Sequence, residues 1–248
     1  MTGKATVIIP ARYASSRFEG KALADILGKP MIYHVCTRSA LARNVDKVIV
    51  ATDDMRIKET VENFGFEAVM TSPDHKTGTD RVAEIAIKEK IDIIINVQGD
   101  EPMIHPETIE KVADALLENK EIYYAQAAAE IKNPSEFIDN TVVKIAVGAG
   151  DYAAFYSRSP IPYPKTRISY TAYKHIGVYG YRNEFLQKFK SLPQMSIELI
   201  EQIEQLRAIE HGYKVKIVKT PYDAISVDIP NDLFEVRVKM EEELSKMS

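Results

Sequence analysis

The run Ile91-Asp92-Ile93-Ile94-Ile95-Asn96-Val97 constrains the fold more than any other segment. It is rich in β-branched residues and lacks the alternation of a half-exposed strand. It is also far too short to cross a bilayer. Such a strand is expected to be buried on both faces, beneath a layer of helices on each side. Ala5-Thr6-Val7-Ile8-Ile9 has the same character.

Around these runs, extended and helical patterns alternate. Residues 31–42 read as a helix, 45–51 as a strand ending at Thr52-Asp53-Asp54, and 55–64 as an amphipathic helix stopped by Gly65. A short strand at 67–70, a helix at 79–90, the strand 91–97 and a helix at 106–118 continue the rhythm. This order predicts an α/β fold with a mostly parallel, doubly wound sheet. The rhythm changes after Ile122. Strands at 142–147 and 152–157 flank Gly148-Ala149-Gly150-Asp151, a hairpin signal. Ser159-Pro160-Ile161-Pro162-Tyr163-Pro164 cannot be regular, because its three prolines lack ladder donors. A strand at 173–182, a helix at 197–209, a strand at 213–219 and a helix at 232–244 complete the chain. No flexible linker separates the halves, so residues 1–248 are expected to form one domain, with an antiparallel, hairpin-bearing insertion at about 122–195.

The formal net charge is -4, which lacks the basic surplus of a nucleic-acid protein. The single cysteine, Cys36, rules out an intrachain disulfide and lies in an apolar helical pattern, as a buried thiol does. The N-terminus has no long apolar signal-peptide core, and no run is long enough to span a bilayer. A cytoplasmic protein with no nucleic-acid partner and no membrane insertion is expected.

The cations that matter must therefore be local. Between the first strand and the helix near Pro30 lies a connection of about twenty residues, where such loops usually need 2–6. It carries Arg12, Arg17 and Lys21. Arginine offers phosphate a fork of donors and lysine a compact charge, so this loop reads as a polyphosphate cradle. Asp100 leaves the apolar strand at Gln98-Gly99-Asp100-Glu101-Pro102, and Asp228 follows Ala224-Ile225-Ser226-Val227. Ligands of open α/β sheets bind beyond the carboxyl ends of strands, and two aspartates there suit Mg²⁺. Alone, each is equally an ordinary turn or cap residue. Thr77-Gly78-Thr79-Asp80-Arg81 opens a helix whose free N–H groups suit a base edge or phosphate, or simply a cap. Strand alternation places His175, Gly177, Tyr179 and Tyr181 on one face, where His175 and Tyr179 suit a polyhydroxylated anion. Arg158 leaves the preceding strand in position to clamp a carboxylate. Glu198, Glu201 and Glu204 recur every third residue, either one solvated helix face, the default for a charge stripe, or a polar wall of a pocket.

Several motifs occur in a fixed order: Pro10-Ala11-Arg12-Tyr13, Gly28-Lys29-Pro30-Met31-Ile32, Ala51-Thr52-Asp53, Gly78-Thr79-Asp80-Arg81, Asn96-Val97-Gln98-Gly99-Asp100-Glu101-Pro102, Tyr156-Ser157-Arg158, Lys174-His175-Ile176-Gly177-Val178-Tyr179-Gly180 and Glu204-Gln205-Leu206-Arg207. Together the chain resembles the 3-deoxy-manno-octulosonate (KDO) cytidylyltransferases, the CMP-KDO synthetases, from about Val7 to the last helix. The resemblance implies a nucleotide-diphospho-sugar transferase-like fold, a homodimer, and a reaction of CTP with the ulosonic acid KDO that uses Mg²⁺ and releases pyrophosphate. It carries nucleotide binding onto Ala11, Arg12, Lys21, Thr77, Gly78, Thr79, Arg81 and Gln98, and metal binding onto Asp100 and Asp228. Sugar contacts fall on Arg158, His175, Tyr179, Glu204 and Gln205. Arg12, Lys21, Asp100 and Asp228 are the implied catalytic set.

Two departures stand out. The first loop reads Phe18-Glu19-Gly20-Lys21-Ala22, where the family usually has Pro-Gly-Lys-Pro. The metal segment reads Ser226-Val227-Asp228-Ile229-Pro230, with Ser where Gly is common and Ile where Thr is common. Three rivals stay open: the same reaction on 8-amino-KDO or another ulosonic acid, a metal-dependent nucleotide-sugar glycosyltransferase, and a non-catalytic nucleotide-binding regulator.

Overall fold

A computed structural model describes residues 4–14, 18–166 and 170–247, so Arg17 lies outside the described residues. Strand β1 (Ala5–Ala11) leads through a 3₁₀ turn at Lys21–Leu23 into a two-residue hairpin, β2 (Asp25–Ile26) and β3 (Lys29–Pro30). The long first connection thus has structure of its own. Then come α1 (Met31–Ala40), β4 (Val45–Thr52), α2 (Met55–Asn63), β5 (Glu67–Met70), α3 (Gly78–Lys88), β6 (Ile93–Val97) and α4 (Pro106–Glu118). All lie within about two residues of the expected bounds. The second half runs β7 (Tyr124–Glu130), α5 (Pro134–Ile138), β8 (Lys144–Val147), β9 (Ala153–Ser157), β10 (Tyr173–Arg182) and α6 (Asn183–Ser191). It ends with α7 (Ser196–Glu201), α8 (Gln205–Glu210), β11 (Lys216–Thr220) and α9 (Pro230–Met247).

The main sheet has the order β11-β7-β10-β6-β1-β4-β5, with β8 and β9 attached to β10. Along that path only β10 runs against its neighbours; β6, β1, β4 and β5 are parallel, and so are β7 and β11. The chain builds outward from β1 through β4 to β5, then returns to the other side of β1 with β6. That reversal makes a crevice beyond the carboxyl ends of β1 and β6, where doubly wound sheets bind their ligands.

Period-2 alternation divides the core between the two faces. Val7 and Ile9 of β1, with Ile93, Ile95 and Val97 of β6, pack beneath α1, α2 and α4. Ile8 and Ile94 point the other way, toward α3 and α6. Each fully buried aliphatic side chain of this kind contributes about 1.5–3 kcal/mol. A third, smaller cluster joins Ile26 and Met31 to Val227, Leu233, Val236 and Met240, so α9 packs on the β2–β3 hairpin of the first loop. Arg237 adds hydrogen bonds from Nε and Nη2 to the Asp25 carbonyl at 3.0 and 2.5 Å.

Two parts of the sequence reading are corrected. The helix expected over residues 197–209 is broken into α7 and α8 at Gln202, whose φ of 54° is left-handed. The cause is tertiary. Glu210 on α8 folds back so that its carboxylate accepts from the Ile197 and Glu198 N–H groups, each at 3.0 Å. Arg207 donates to Glu198 from Nε at 2.9 Å and from Nη2 at 2.6 Å. The glutamate series is therefore no solvated face, because Glu198 is buried in this bidentate pair. In addition, β7 and α6, unassigned in sequence, are regular elements, and both β7 and β10 are integral to the main sheet.

Candidate active site

The crevice floor is set by close backbone packing. At Gly99, just after β6, a Cβ would lie 2.8 Å from the Pro10 carbonyl oxygen in β1, so only glycine lets the two strand exits approach. Over this floor lies a cavity of about 280 Å³ lined by Ala11, Arg12, Lys21, Thr77, Gly78, Arg81, Gln98, Asp100 and Asp228. These are the sequence candidates for nucleotide and metal, apart from Thr79.

Asp100 and Asp228 are distant in sequence and meet here because the Val227 N–H donates to the Asp100 carbonyl at 2.9 Å. Lys21 lies between their carboxylates, 2.7 Å from Asp100 Oδ2 and 3.6 Å from Asp228 Oδ1. The paired negative charge already draws one cation in this structure. Hard carboxylate oxygens fit Mg²⁺, which keeps several waters and takes one or two carboxylates plus phosphates. Asp100 and Asp228 supply two such carboxylates on the wall of the cavity, which fits that donor set.

The α3 N-terminus forms another wall. Thr77 caps it, accepting from the Asp80 N–H, while Asp80 accepts from the Thr77 N–H, each at 3.1 Å. This capping box leaves the first-turn N–H groups beside the cavity. Arg81 is buried one turn on. Its Nη2 donates to Asp53 at 2.7 Å, and its Nη1 donates to the Thr71 hydroxyl and, at 3.3 Å, to the Ser72 carbonyl. Asp53 thus anchors Arg81. His75 and Lys76 also line the cavity, and neither is singled out by sequence reasoning. His75 Nε2 lies 2.5 Å from Glu84, which also accepts from the Ser72 N–H at 3.0 Å. Burial opposes the Glu84 charge, but bonds from Lys88, Ser72 and His75 outweigh it and hold the carboxyl down at about 2.

A second cavity, about 210 Å³, shares Gly78 and Gln98 with the first. It collects Thr79, Arg158, His175, Tyr179, Glu204 and Gln205. Thr79 therefore falls on this side, its hydroxyl donating to Glu204 at 2.5 Å. Arg158 is held by its backbone and its side chain. Its N–H donates to Glu201 Oε2 at 2.9 Å, Nε to the Glu201 carbonyl at 2.9 Å and Nη1 to the Asn140 carbonyl at 3.1 Å. Glu201, which the sequence offers only as one of a series of glutamates, thus holds Arg158 in place. His175 Nδ1 lies 3.4 Å from the Tyr179 hydroxyl. Burial, then the charges of Arg158 and Lys174, lower the His175 imidazole to about 4, so it is neutral near pH 7. Burial likewise raises Glu204, against the Thr79 hydrogen bond and the nearby Arg207 charge. A third cavity of about 800 Å³ meets the second at Arg158 and His175 and the first at Asp228.

The family profile described as cytidylyltransferase matches residues 6–217. A 3-deoxy-manno-octulosonate cytidylyltransferase of Geobacter sulfurreducens is 45% identical over 246 residues, 95% of this chain and 98% of the relative. The chain belongs to the 3-deoxy-manno-octulosonate cytidylyltransferase family. An 8-amino-3,8-dideoxy-manno-octulosonate cytidylyltransferase of Shewanella baltica is 46% identical over 233 residues, 92% of this chain and 95% of that one. Among solved structures, a CMP:2-keto-3-deoxy-manno-octonic acid synthetase in complex with CTP superposes with a TM-score of 0.92 at 40% identity, covering 97% of this chain and 100% of its own. A 4-diphosphocytidyl-2C-methyl-D-erythritol synthase from Anaerococcus prevotii shares the fold alone, with a TM-score of 0.64 at 14% identity, 97% of this chain and 100% of that one being covered. The nucleotidyltransferase fold and enzyme class inferred from sequence are thereby borne out.

Proposed function

We propose that the chain couples CTP and KDO to CMP-KDO and pyrophosphate, in the synthesis of lipopolysaccharide or a related polysaccharide. The observation that carries this reading is the pair of cavities meeting at Gly78 and Gln98. One is cationic at Arg12 and Lys21 and carries two carboxylates; the other is polar and carries one arginine. A triphosphate in the first and a sugar acid in the second bring the α-phosphorus and the anomeric hydroxyl to that shared wall.

The anomeric hydroxyl gives its proton to solvent and its oxygen attacks the α-phosphorus, the bond to the bridging oxygen of the β-phosphate breaks, and pyrophosphate leaves with that electron pair. Arg12 and Lys21 balance the charge that accumulates on the departing phosphates. The α3 N-terminus and Gln98 orient the nucleotide, and Arg158 holds the sugar carboxylate, so attack is in effect intramolecular. Asp100 and Asp228 would hold Mg²⁺, which when bound supplies charge neutralisation and favours the deprotonated hydroxyl. His175 is neutral and suits a hydroxyl as donor or acceptor.

Release of pyrophosphate from CTP, with KDO and 8-amino-KDO assayed side by side, tests the reading. Turnover with KDO supports it. Preference for the amino sugar favours the second reading, which the Shewanella baltica relative supports. Absence of pyrophosphate from CTP with either sugar, whether or not a preformed nucleotide sugar is split to its free nucleotide, overturns both. The chain is further proposed to act in the cytoplasm as a homodimer. Among the described residues no helix is long and apolar enough to cross a membrane, and exposed Ile138, Tyr163 and Ile200 offer apolar surface to a second copy.

A further inference from the structure

Glu101 follows Asp100 at the exit of β6, yet it lines the third cavity and not the nucleotide cavity. It is only 3% exposed. Its Oε1 accepts from Ser226 Oγ at 2.6 Å and from the Gly177 N–H at 3.2 Å. A Cβ on Gly177 would lie 2.6 Å from that same oxygen, so glycine is what admits the carboxyl here. Two backbone hydrogen bonds flank the contact: Val227 N–H to the Asp100 carbonyl, and Gln98 N–H to the Gly177 carbonyl, each 2.9 Å. One carboxyl oxygen thus ties together three segments. They are the β6 exit with Asp100, β10 with His175 and Tyr179, and the stretch bearing Asp228.

That third segment is held by single contacts: the Val227 N–H on the Asp100 carbonyl, the Asp228 N–H on the Asp232 carboxylate at 2.8 Å, and Ser226 on Glu101. Between β11 and α9 the chain has no regular structure, so no sheet ladder fixes where Asp228 stands. Ser226 is also a position where the chain departs from the family pattern, with a hydroxyl in place of a hydrogen.

We propose that the Ser226–Glu101 hydrogen bond is a positioning contact that holds Asp228 opposite Asp100 and thereby sets the affinity of the nucleotide site for its divalent cation. Neither residue lines the two cavities assigned to the nucleotide and the sugar; both act through Asp228. The inference rests on the reading that Asp100 and Asp228 hold that cation.

The test is calorimetric titration of Mg²⁺ into enzyme with CTP present and sugar absent, so that binding is read without turnover. Ser226→Ala should weaken Mg²⁺ binding about three- to tenfold, the range one hydrogen bond supports, and leave CTP binding in chelator unchanged. Glu101→Gln keeps an acceptor oxygen and should stay within about threefold of wild type. Adding Ser226→Ala to Glu101→Ala should do no further harm, since both remove one contact. Unchanged Mg²⁺ affinity in Ser226→Ala overturns the proposal, as does an equal loss of cation-free CTP binding. Asp228→Asn separates the two layers of the argument. If it leaves Mg²⁺ affinity intact, the cation reading fails. If it abolishes Mg²⁺ binding while Ser226→Ala does nothing, only the clasp fails.

Discussion

Lys21 sits between the two carboxylates proposed to hold the divalent cation, so removing it should have two opposite effects. Lys21→Met keeps the unbranched stem and deletes the ammonium. In the structure that ammonium is 2.7 Å from Asp100 and 3.6 Å from Asp228, with side-chain exposures of 17%, 26% and 45% respectively. Opposite charges at about 4 Å interact by about 1 kcal/mol in water and about 4 kcal/mol at an effective dielectric near 20. Solvent reaches all three groups, so the lower end applies, at about 1 kcal/mol for the two contacts together. A metal entering without nucleotide must displace that interaction. Its loss should tighten Mg²⁺ binding to the free enzyme about fivefold, since about 1.4 kcal/mol is a factor of ten. The triphosphate, however, loses a charge-assisted donor worth about 1.5–3 kcal/mol, so kcat/KM for CTP should fall about 10- to 150-fold, with kcat falling too. Calorimetry with Mg²⁺ alone reads the first effect, and steady-state kinetics at saturating Mg²⁺ read the second. A variant that binds free Mg²⁺ more weakly than wild type, or whose sole defect is a raised KM for the sugar, refutes the placement of Lys21.

Asp100→Asn and Asp228→Asn should each abolish most turnover with little change in the denaturation midpoint, and the double variant should be scarcely worse than either single one; near-normal turnover by Asp228→Asn would remove it from the site. Arg158→Ala should weaken sugar use by about 2–5 kcal/mol, the cost of leaving a buried carboxylate unpaired, while calorimetry finds CTP affinity near wild type. Loss of CTP binding instead would sink the division into nucleotide and sugar cavities. Because His175 titrates at about 4 in the fold and at 6.5 ordinarily, the unfolded chain takes up its proton first. The stability it contributes is complete above 6.5 and is lost as pH falls toward 4. His175→Asn should flatten the fall in stability across that window by as much as about 1.4 kcal/mol per pH unit; parallel pH profiles for the two proteins would contradict the lowered value.

The parts of the site that were legible in sequence share a physical cause. Asp100 stands out because a strand built almost wholly of isoleucine and valine must be buried, which leaves the first carboxylate beyond it at the sheet edge. Arg12 and Lys21 stand out because a loop far longer than its connection requires carries them. What escaped is what long-range packing decides. β7 is rich in alanine, with Ala125, Ala127, Ala128 and Ala129 all buried, and alanine has little strand preference of its own. The break between α7 and α8 follows from the fold-back pairing of Glu198 with Arg207, which no local periodicity announces. Nothing local sets Glu101 apart from Asp100, because Ser226 and Gly177 converge on it only in the fold.

The small cluster that seats α9 on the β2–β3 hairpin bears on how the molecule regains its activity. The β1–β4 and β4–β5 pairs form from neighbouring β–α units, whereas Lys21 meets Asp228 only by closing a loop across most of the chain, as the Arg237–Asp25 contact does over 212 positions. Loops of that size close late, after shorter contacts have restricted the chain. Recovered helix and sheet signals after denaturation therefore report a scaffold, and recovered turnover reports that its most distant segments have found each other.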